Sequence, residues 1–230
     1  MQIAIKGHGK PILFVHGLGG SIESLTPLAK NLESSHQTIT IELPGFGKSD
    51  NPEPDWGVEE YAQEIVNLLK VHKVRKVTYF GHSFGGELGI YLAANTKLID
   101  KLILCNSSFK RTGRKSILAR MYHYLFPNNN PPFKMILYRI LFRSSDLAKF
   151  PHLEQNFRKI VKQDLTNLLE KINVKTLIIW GAKDSITPVS WAYELHEKIK
   201  NSELEIVEDA RHGLPLRQPE LVAKLIESFV

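Results

Sequence analysis

Seven short hydrophobic runs, rich in Val, Ile and Leu, recur along the chain. They show little alternation of polar and apolar positions, which is typical of strands buried on both faces of a parallel sheet. In chain order the runs are QIAI, PILFVHG, QTITIEL, KVTYFGHS, KLILCNS, KTLIIWGA and LEIVED. The pattern predicts a mainly parallel sheet of about seven strands.

Segments with the helical spacing of apolar residues separate most of these runs. The spacing predicts helices over residues 24–34, 58–72 and 220–230, and a further helix is expected over residues 86–95. Because strands and helices alternate along the chain, we expect an α/β fold with helices on both faces of the sheet.

One interval interrupts this alternation. From Ser107 to about Asp164 no strand-like run occurs, and the turn-prone PNNNPP separates two aromatic-rich stretches, KSILARMYHYLF and PFKMILYRILF. A structureless loop of this length is uncommon inside a compact domain, so we predict a helical insertion that could form a lid. The predicted domains are a core of residues 1–107 and 165–230 and a cap of residues 108–164.

Positive charge is concentrated in the predicted cap. The 230-residue chain has a formal net charge of +6, and residues 108–165 contain twelve Lys and Arg against three Asp and Glu. No recognition-helix, zinc-finger or RNA-binding signature accompanies this charge, so we expect no nucleic-acid partner. The basic segment is interpreted as a solvated surface, with weak contact to an anionic membrane or an acidic partner as the alternative.

The single cysteine, Cys105, excludes an internal disulfide and fits a reducing compartment. It lies in an apolar run, where a buried and inert thiol is expected. The N-terminus has no signal-peptide pattern, and no run reaches the roughly 18 apolar residues of a membrane span. We therefore expect a cytoplasmic protein without stable membrane insertion. The sequence does not indicate its oligomeric state.

The stretch GHSFGG fits the pattern G-x-S-x-G through Gly81, Ser83 and Gly85, between a predicted strand and a predicted helix. In this context the serine occupies a strained strand-to-helix turn, and small neighbours let the backbone pass without a clash. The carboxyl ends of parallel strands are where α/β folds place their sites. We therefore predict that Ser83 is a nucleophile.

A serine hydroxyl needs a base to remove its proton and an acid to orient that base. His212 follows the run LEIVED and Asp184 follows KTLIIWGA, so both lie at the same sheet edge as Ser83. The order Ser, Asp, His matches one of the known arrangements of such triads. Asp209, three residues before His212, or another carboxylate is the alternative for the acid.

An oxyanion hole is expected in the glycine-rich loop at the end of the stretch FVHGLGG, which closes the second hydrophobic run. Its amide at Leu18 could point into the site together with the amide of Phe84. Gly17 and His16 in the same loop are assigned to the substrate-binding region.

The aromatic and aliphatic side chains of the cap are interpreted first as its packing face, and some of them could line an acyl pocket. The cap residues assigned to substrate binding are Met121, Tyr122, Phe126, Leu137 and Tyr138. The chain has no His or Cys spacing typical of metal ligands, so we expect neither a metal nor a cofactor.

Taken together, the motifs resemble those of the α/β-hydrolase superfamily, in particular its compact, cap-bearing, esterase-like serine hydrolases. HGLGG, LPGFGKSD, GHSFGG, WGAKDSITP and HGLPLRQPE occur in family order over nearly the whole chain. The resemblance implies that Ser83 is the nucleophile, His212 the general base and then acid, and Asp184 its orienting residue. It also implies that the cap follows the sixth family strand and that His16 shapes the oxyanion loop.

Two features depart from the family pattern. Only QIAI precedes PILFVHG, so the first edge strand of the family is expected to be missing. Arg211 and Arg217 stand where the family commonly has Gly and Glu around His212. An inward-pointing Arg211 would repel a protonated imidazole, so we predict that it faces solvent.

The leading hypothesis is a serine hydrolase of small to medium carboxylic esters with an apolar acyl or aryl group. Alternatives within the same chemistry are cleavage of carbon–carbon bonds in dienoic ketones, of lactones or of thioesters. A peptidase acting on N-terminal residues is disfavoured, because the cap is basic. A rival of another class is a ligand-binding or regulatory protein that retains the fold, since fold alone does not decide function.

Overall fold

A computed structural model describes residues 1–110 and 150–230, which build a seven-stranded sheet covered by helices. The strands are β1 (Gln2–Lys6), β2 (Pro11–Val15), β3 (Gln37–Glu42), β4 (Val77–His82), β5 (Ile99–Cys105), β6 (Lys175–Gly181) and β7 (Ser202–Val207). Their order across the sheet is β1-β3-β2-β4-β5-β6-β7. All neighbouring pairs are parallel except β1 and β3, which confirms the prediction of a mainly parallel sheet.

The helices alternate with the strands as the sequence predicts. They are α1 (Ile22–Lys30), α2 (Val58–Val71), α3 (Phe84–Asn95), α4 (Glu154–Ile160), α5 (Ser190–Lys198), α6 (Leu214–Arg217) and α7 (Pro219–Phe229), with 3₁₀ turns at Pro151–Leu153 and Thr166–Lys171. The three helices predicted from periodicity agree with α1, α2 and α7, and the helix expected over residues 86–95 agrees with α3; α5 and the short α4 and α6 have no counterpart among the predicted helices. In the part of the chain that the structure describes, no helix has both the length and the apolar character needed to cross a membrane.

Two hydrophobic layers lie on opposite faces of the sheet. Successive side chains of a strand point to opposite faces, so Leu13 of β2 packs in one layer and Phe14 in the other. Leu88 of α3 belongs to the first layer and Ile226 of α7 to the second. The prediction of helices on both faces is therefore confirmed, and the central strands are buried on both sides.

The edge strands depart from the expectation of burial on both faces. In β7 exposed Glu203 and Glu205 alternate with partly buried Leu204 and Ile206, so this strand is covered on one face only. Strand β1 forms the opposite edge, and no other described strand pairs with its outer side. Edge strands have a single neighbour, and both of these edge strands are less buried than the central ones.

Of the predicted cap, the structure describes residues 108–110 and 150–164. The side chains of Phe157 and Ile160 on α4 are buried in the first hydrophobic layer. Asn156 donates a hydrogen bond to the carbonyl of Glu53 at 2.9 Å, so the end of the cap segment is attached to the core. The two predicted aromatic-rich helices lie outside the described residues.

Candidate active site

Ser83 occupies a strained turn between β4 and α3, with φ 53° and ψ −114°. A non-glycine residue in this region costs about 1–3 kcal/mol, which the surroundings must offset. A Cβ atom on Gly85 would lie 2.2 Å from the carbonyl oxygen of Val15, and one on Gly81 would lie 2.4 Å from that of Gly85. The two glycines of the motif are therefore required by close backbone contacts, as their spacing predicted.

Backbone hydrogen bonds fix this turn against strand β5. The Ser83 N–H donates to the carbonyl of Cys105 at 3.1 Å, and the Ser108 N–H donates to the carbonyl of Ser83 at 3.1 Å. The buried hydroxyl of Tyr79 donates to the carbonyl of Gly85 at 2.7 Å. The position of the Ser83 hydroxyl is thus set by rigid elements on both sides.

A continuous chain of hydrogen bonds joins Ser83, His212 and Asp184. The Ser83 Oγ lies 3.0 Å from His212 Nε2, and His212 Nδ1 lies 2.8 Å from Asp184 Oδ2. Because a carboxylate can only accept, Nδ1 carries the proton and Nε2 is free to accept from the serine. This is the arrangement in which a histidine can remove the serine proton.

Asp184 is held by several donors besides His212, and its side chain is inaccessible to solvent. The Thr187 hydroxyl, at 2.7 Å, and the Asn106 side-chain amide donate to Oδ2, while the backbone amides of Ile186 and Thr187 donate to Oδ1. Burial opposes ionisation of Asp184, but the hydrogen bonds from His212 and Thr187 outweigh it and lower its pKa. The group is therefore an anion suited to orient the imidazole.

The backbone of His212 is fixed by His82, which precedes the nucleophile. His82 Nε2 donates to the carbonyl of His212 at 2.8 Å, and the two rings lie 5.0 Å apart between centroids. Burial, with the nearby His212, lowers the pKa of His82 to about 4, so the ring is neutral near pH 7. Arg211 is exposed, which confirms that it faces solvent.

The alternative acid, Asp209, is exposed and its carboxylate pairs with Lys183 at 2.7 Å. The carboxylate that the structure brings to His212 is that of Asp184.

Two candidate oxyanion donors come from different elements: Leu18 lies in the loop after β2, and Phe84 is the first residue of α3. Within the described residues, the backbone N–H groups of Leu18 and Phe84 have no hydrogen-bond acceptor, and both residues line the cavity beside Ser83. A Cβ on Gly17 would lie 2.9 Å from the Ser83 Cβ, so only glycine lets this loop approach so closely.

His16 was assigned to substrate binding, but its ring lies outside the cavity. Its Nδ1 donates to the carbonyl of Gly17 at 2.7 Å, and its Nε2 accepts from the Leu43 amide at 3.1 Å. Burial lowers the pKa of His16, in agreement with a neutral ring that uses both nitrogens on the backbone. The residue therefore shapes the loop and has no free group for a ligand.

A cavity of about 530 Å³ opens at Ser83, a volume typical of sites for small molecules. Its walls combine apolar side chains with a few polar ones. The described residues along the walls include Leu18, Phe84, Ile160, Val161, Ile186, Trp191 and Leu216, and the polar Ser24, Glu87, Ser108, Lys110, Gln163 and Thr187. The predicted substrate-binding residues Met121, Tyr122, Phe126, Leu137 and Tyr138 lie outside the described residues.

Three residues of the site were not found from the sequence. Asn106 directly follows β5, and Thr187 lies in the loop after β6, six residues beyond its last residue; their position after the carboxyl ends of strands was the available signal. Glu87 lies in a helix that is otherwise uncharged, FGGELGIYLAAN. A single charge inside an apolar helix is a sequence signal for such a residue.

The chain belongs to the α/β-hydrolase fold family, whose model matches residues 10–158. The seven-stranded, mostly parallel sheet and the helices on both of its faces are those of this fold. The chain is accordingly a hydrolase of the α/β-hydrolase kind.

Relatives cover almost the whole chain. The AB hydrolase superfamily protein YisY of Bacillus subtilis is 28% identical over 97% of this chain and 92% of its own length. The pimeloyl-[acyl-carrier protein] methyl ester esterase of Neisseria meningitidis is 26% identical over 96% of this chain and 77% of its own length. Among solved structures, an esterase from Exiguobacterium antarcticum superimposes with a TM-score of 0.76 and 25% identity, covering 99% of this chain and 94% of the esterase.

Proposed function

We propose that this hydrolase cleaves small to medium carboxylic esters through an acyl-enzyme on Ser83. The observation that carries the proposal is the unbroken Ser83–His212–Asp184 chain at the wall of a cavity of about 530 Å³. The similar proteins from Neisseria and Exiguobacterium are described as esterases, which supports ester substrates.

The geometry supports a two-step reaction. Ser83 Oγ attacks the ester carbonyl while His212 Nε2 takes its proton, and Asp184 stabilises the resulting imidazolium. The amides of Leu18 and Phe84 donate to the oxyanion. His212 then protonates the leaving alcohol, and water activated by the same base releases the acid.

The oxyanion donors contribute a large part of the transition-state stabilisation in this proposed reaction. Removing one donor typically costs about 3–4 kcal/mol of transition-state stabilisation, a factor of roughly a hundred to a thousand in kcat. Both amides are supplied by the backbone, so the shape of the Gly17 loop and of the Ser83 turn determines their direction.

A panel of p-nitrophenyl esters of increasing acyl length tests the proposal. Wild-type protein should hydrolyse the shorter members, and Ser83→Ala should lose roughly a millionfold in kcat. Fluorophosphonate labelling, followed by mass spectrometry, should mark Ser83 in the wild type and leave Ser83→Ala unlabelled. A matched control is Ser228→Ala, because this exposed hydroxyl donates to the carbonyl of Leu225 in its own helix and has no other partner in the described part of the chain.

Other outcomes identify the alternatives. Unchanged ester hydrolysis in Ser83→Ala would overturn the mechanism. Higher kcat/KM for a lactone, thioester or dienoic ketone than for any ester, with loss in Ser83→Ala, would retain the nucleophile and replace the substrate class. Absence of both turnover and labelling would identify a ligand-binding protein that retains the fold.

A further inference from the structure

Glu87 is a buried carboxyl group that the ester mechanism does not use. It lies four residues after Ser83 on α3, is only 4% exposed, and lines the same cavity as the nucleophile. The backbone amide of Glu87 donates to the carbonyl of Ser83 at 3.3 Å, which is a hydrogen bond across the first turn of α3. Glu87 therefore lies one helical turn from the point of attack.

The hydrogen bonds of Glu87 within the described residues leave acceptor capacity unused. The Ser108 hydroxyl donates to Oε2 of Glu87 at 2.8 Å. Ser108 is itself held in place, because its backbone amide donates to the carbonyl of Ser83. An ionised carboxylate can accept about four hydrogen bonds. Within residues 1–110 and 150–230, no group donates to Oε1 of Glu87, and no Lys or Arg forms an ion pair with it. The other charged residue on the described cavity wall is Lys110, which pairs with Glu194 instead.

Burying this carboxyl has a cost that residues 1–110 and 150–230 offset only through the hydrogen bond from Ser108. Burial, together with the negative charge of Asp164, raises the pKa of Glu87 to about 7 despite the hydrogen bond from Ser108. Apolar or small side chains occupy most of the remaining positions of the same helix. A costly polar group on the wall of a candidate active site is characteristic of a functional residue.

We propose that Glu87 determines specificity by accepting a hydrogen bond from a donor group on the substrate, a hydroxyl or an ammonium, a few bonds from the scissile carbonyl. The inference rests on the proposed ester hydrolysis and narrows its substrate class. Preferred substrates are esters that carry such a donor, and hydrocarbon esters of the same size are poorer substrates, because they leave the buried carboxyl unpaired.

Matched ester series test this assignment. One series consists of p-nitrophenyl esters of equal chain length that end in a methyl, a hydroxyl or an ammonium group. A second carries the same three endings on the alcohol side of acetate esters, read by pH-stat. In at least one series, the wild type should prefer a donor-ended ester over the methyl-ended one by roughly tenfold to hundredfold in kcat/KM, the range expected for hydrogen bonds to a charged group.

Two substitutions separate the kinds of donor. Glu87→Leu should abolish the preference for both donors while retaining hydrolysis of the methyl-ended ester. Glu87→Gln keeps a neutral acceptor, so it should retain preference for a hydroxyl and lose preference for an ammonium. The control is Glu197→Gln, an exposed residue of α5, which should leave the preference unchanged.

The outcomes distinguish the two proposals. Two results refute the role of Glu87 and leave ester hydrolysis standing. In the first, Ser83-dependent hydrolysis proceeds but neither donor-ended ester is preferred over the methyl-ended one. In the second, this preference is equal in Glu87→Leu and in the wild type. If rates on all esters fall by one common factor in both Glu87 variants, the residue is structural and the inference is wrong. If no ester is hydrolysed, the proposed function and the inference fall together.

Discussion

Replacing Glu87 by Gln should change how the stability of the protein depends on pH. Glutamine has nearly the same shape and retains an acceptor for Ser108, but it cannot ionise. In the wild type, burial raises the pKa of Glu87 from 4.5 to about 7 in the folded state. The folded protein therefore keeps a proton between pH 4.5 and 7 that the unfolded chain has already released.

The sign and the size follow from this difference. Because the folded state binds more protons in that window, the free energy of unfolding falls as pH rises through it, and the cost is fully present above pH 7. One pKa unit corresponds to about 1.4 kcal/mol, so the complete cost is about 3 kcal/mol. Between about pH 5 and pH 8 the wild type should lose about 2–3 kcal/mol relative to Glu87→Gln.

Urea unfolding of both proteins at these two pH values measures the effect. The same other ionisable groups are present in both proteins, so the difference between the two pH profiles isolates the effect of Glu87. Glu197→Gln, on the surface, should give the same difference from wild type at both pH values. If Glu87→Gln also differs from wild type by a constant amount, the buried carboxyl has a compensating cation and the reasoning is refuted.

Two further substitutions test the support of the site. Thr187→Val removes the hydroxyl that donates to Asp184 at 2.7 Å. Since a hydrogen bond to a charged group contributes about 1.5–3 kcal/mol, kcat for ester hydrolysis should fall roughly tenfold to hundredfold with little change in KM. Unchanged kcat would show that the remaining donors suffice. Gly17→Ala places a methyl group 2.9 Å from the Ser83 Cβ. It should slow both hydrolysis and fluorophosphonate labelling at least tenfold with little change in Tm, because it displaces the loop beside the nucleophile. A large fall in Tm with full kcat would contradict this.

The sequence located the strands well because central strands of a parallel sheet are continuous apolar runs. It did not reveal that β1 pairs antiparallel with β3, since strand order depends on tertiary contacts that a five-residue run does not encode. Helix α5 was not assigned from periodicity. Its mixed polarity reflects a helix that packs through Trp191, Ala192 and Leu195 and leaves the rest exposed.

The candidate triad was predictable because its members follow three parallel strands and so meet at one sheet edge. The contacts of Ser83, His212 and Asp184 bear out that geometric expectation, while their roles in catalysis stay a prediction. The donors that hold Asp184 could not be predicted in the same way. A polar residue after a strand can point in several directions, and only the packed structure shows that Asn106 turns its amide toward the carboxylate.

The burial of the single cysteine, Cys105, has a practical consequence for labelling the protein. It is the one cysteine in the sequence, it is buried at the end of β5, and burial raises the pKa of its thiol. The reactive thiolate is therefore scarce and shielded in the native protein. A cysteine introduced at an exposed position would be the preferred target of a maleimide dye, so fluorescence probes can report on substrate binding without first replacing Cys105.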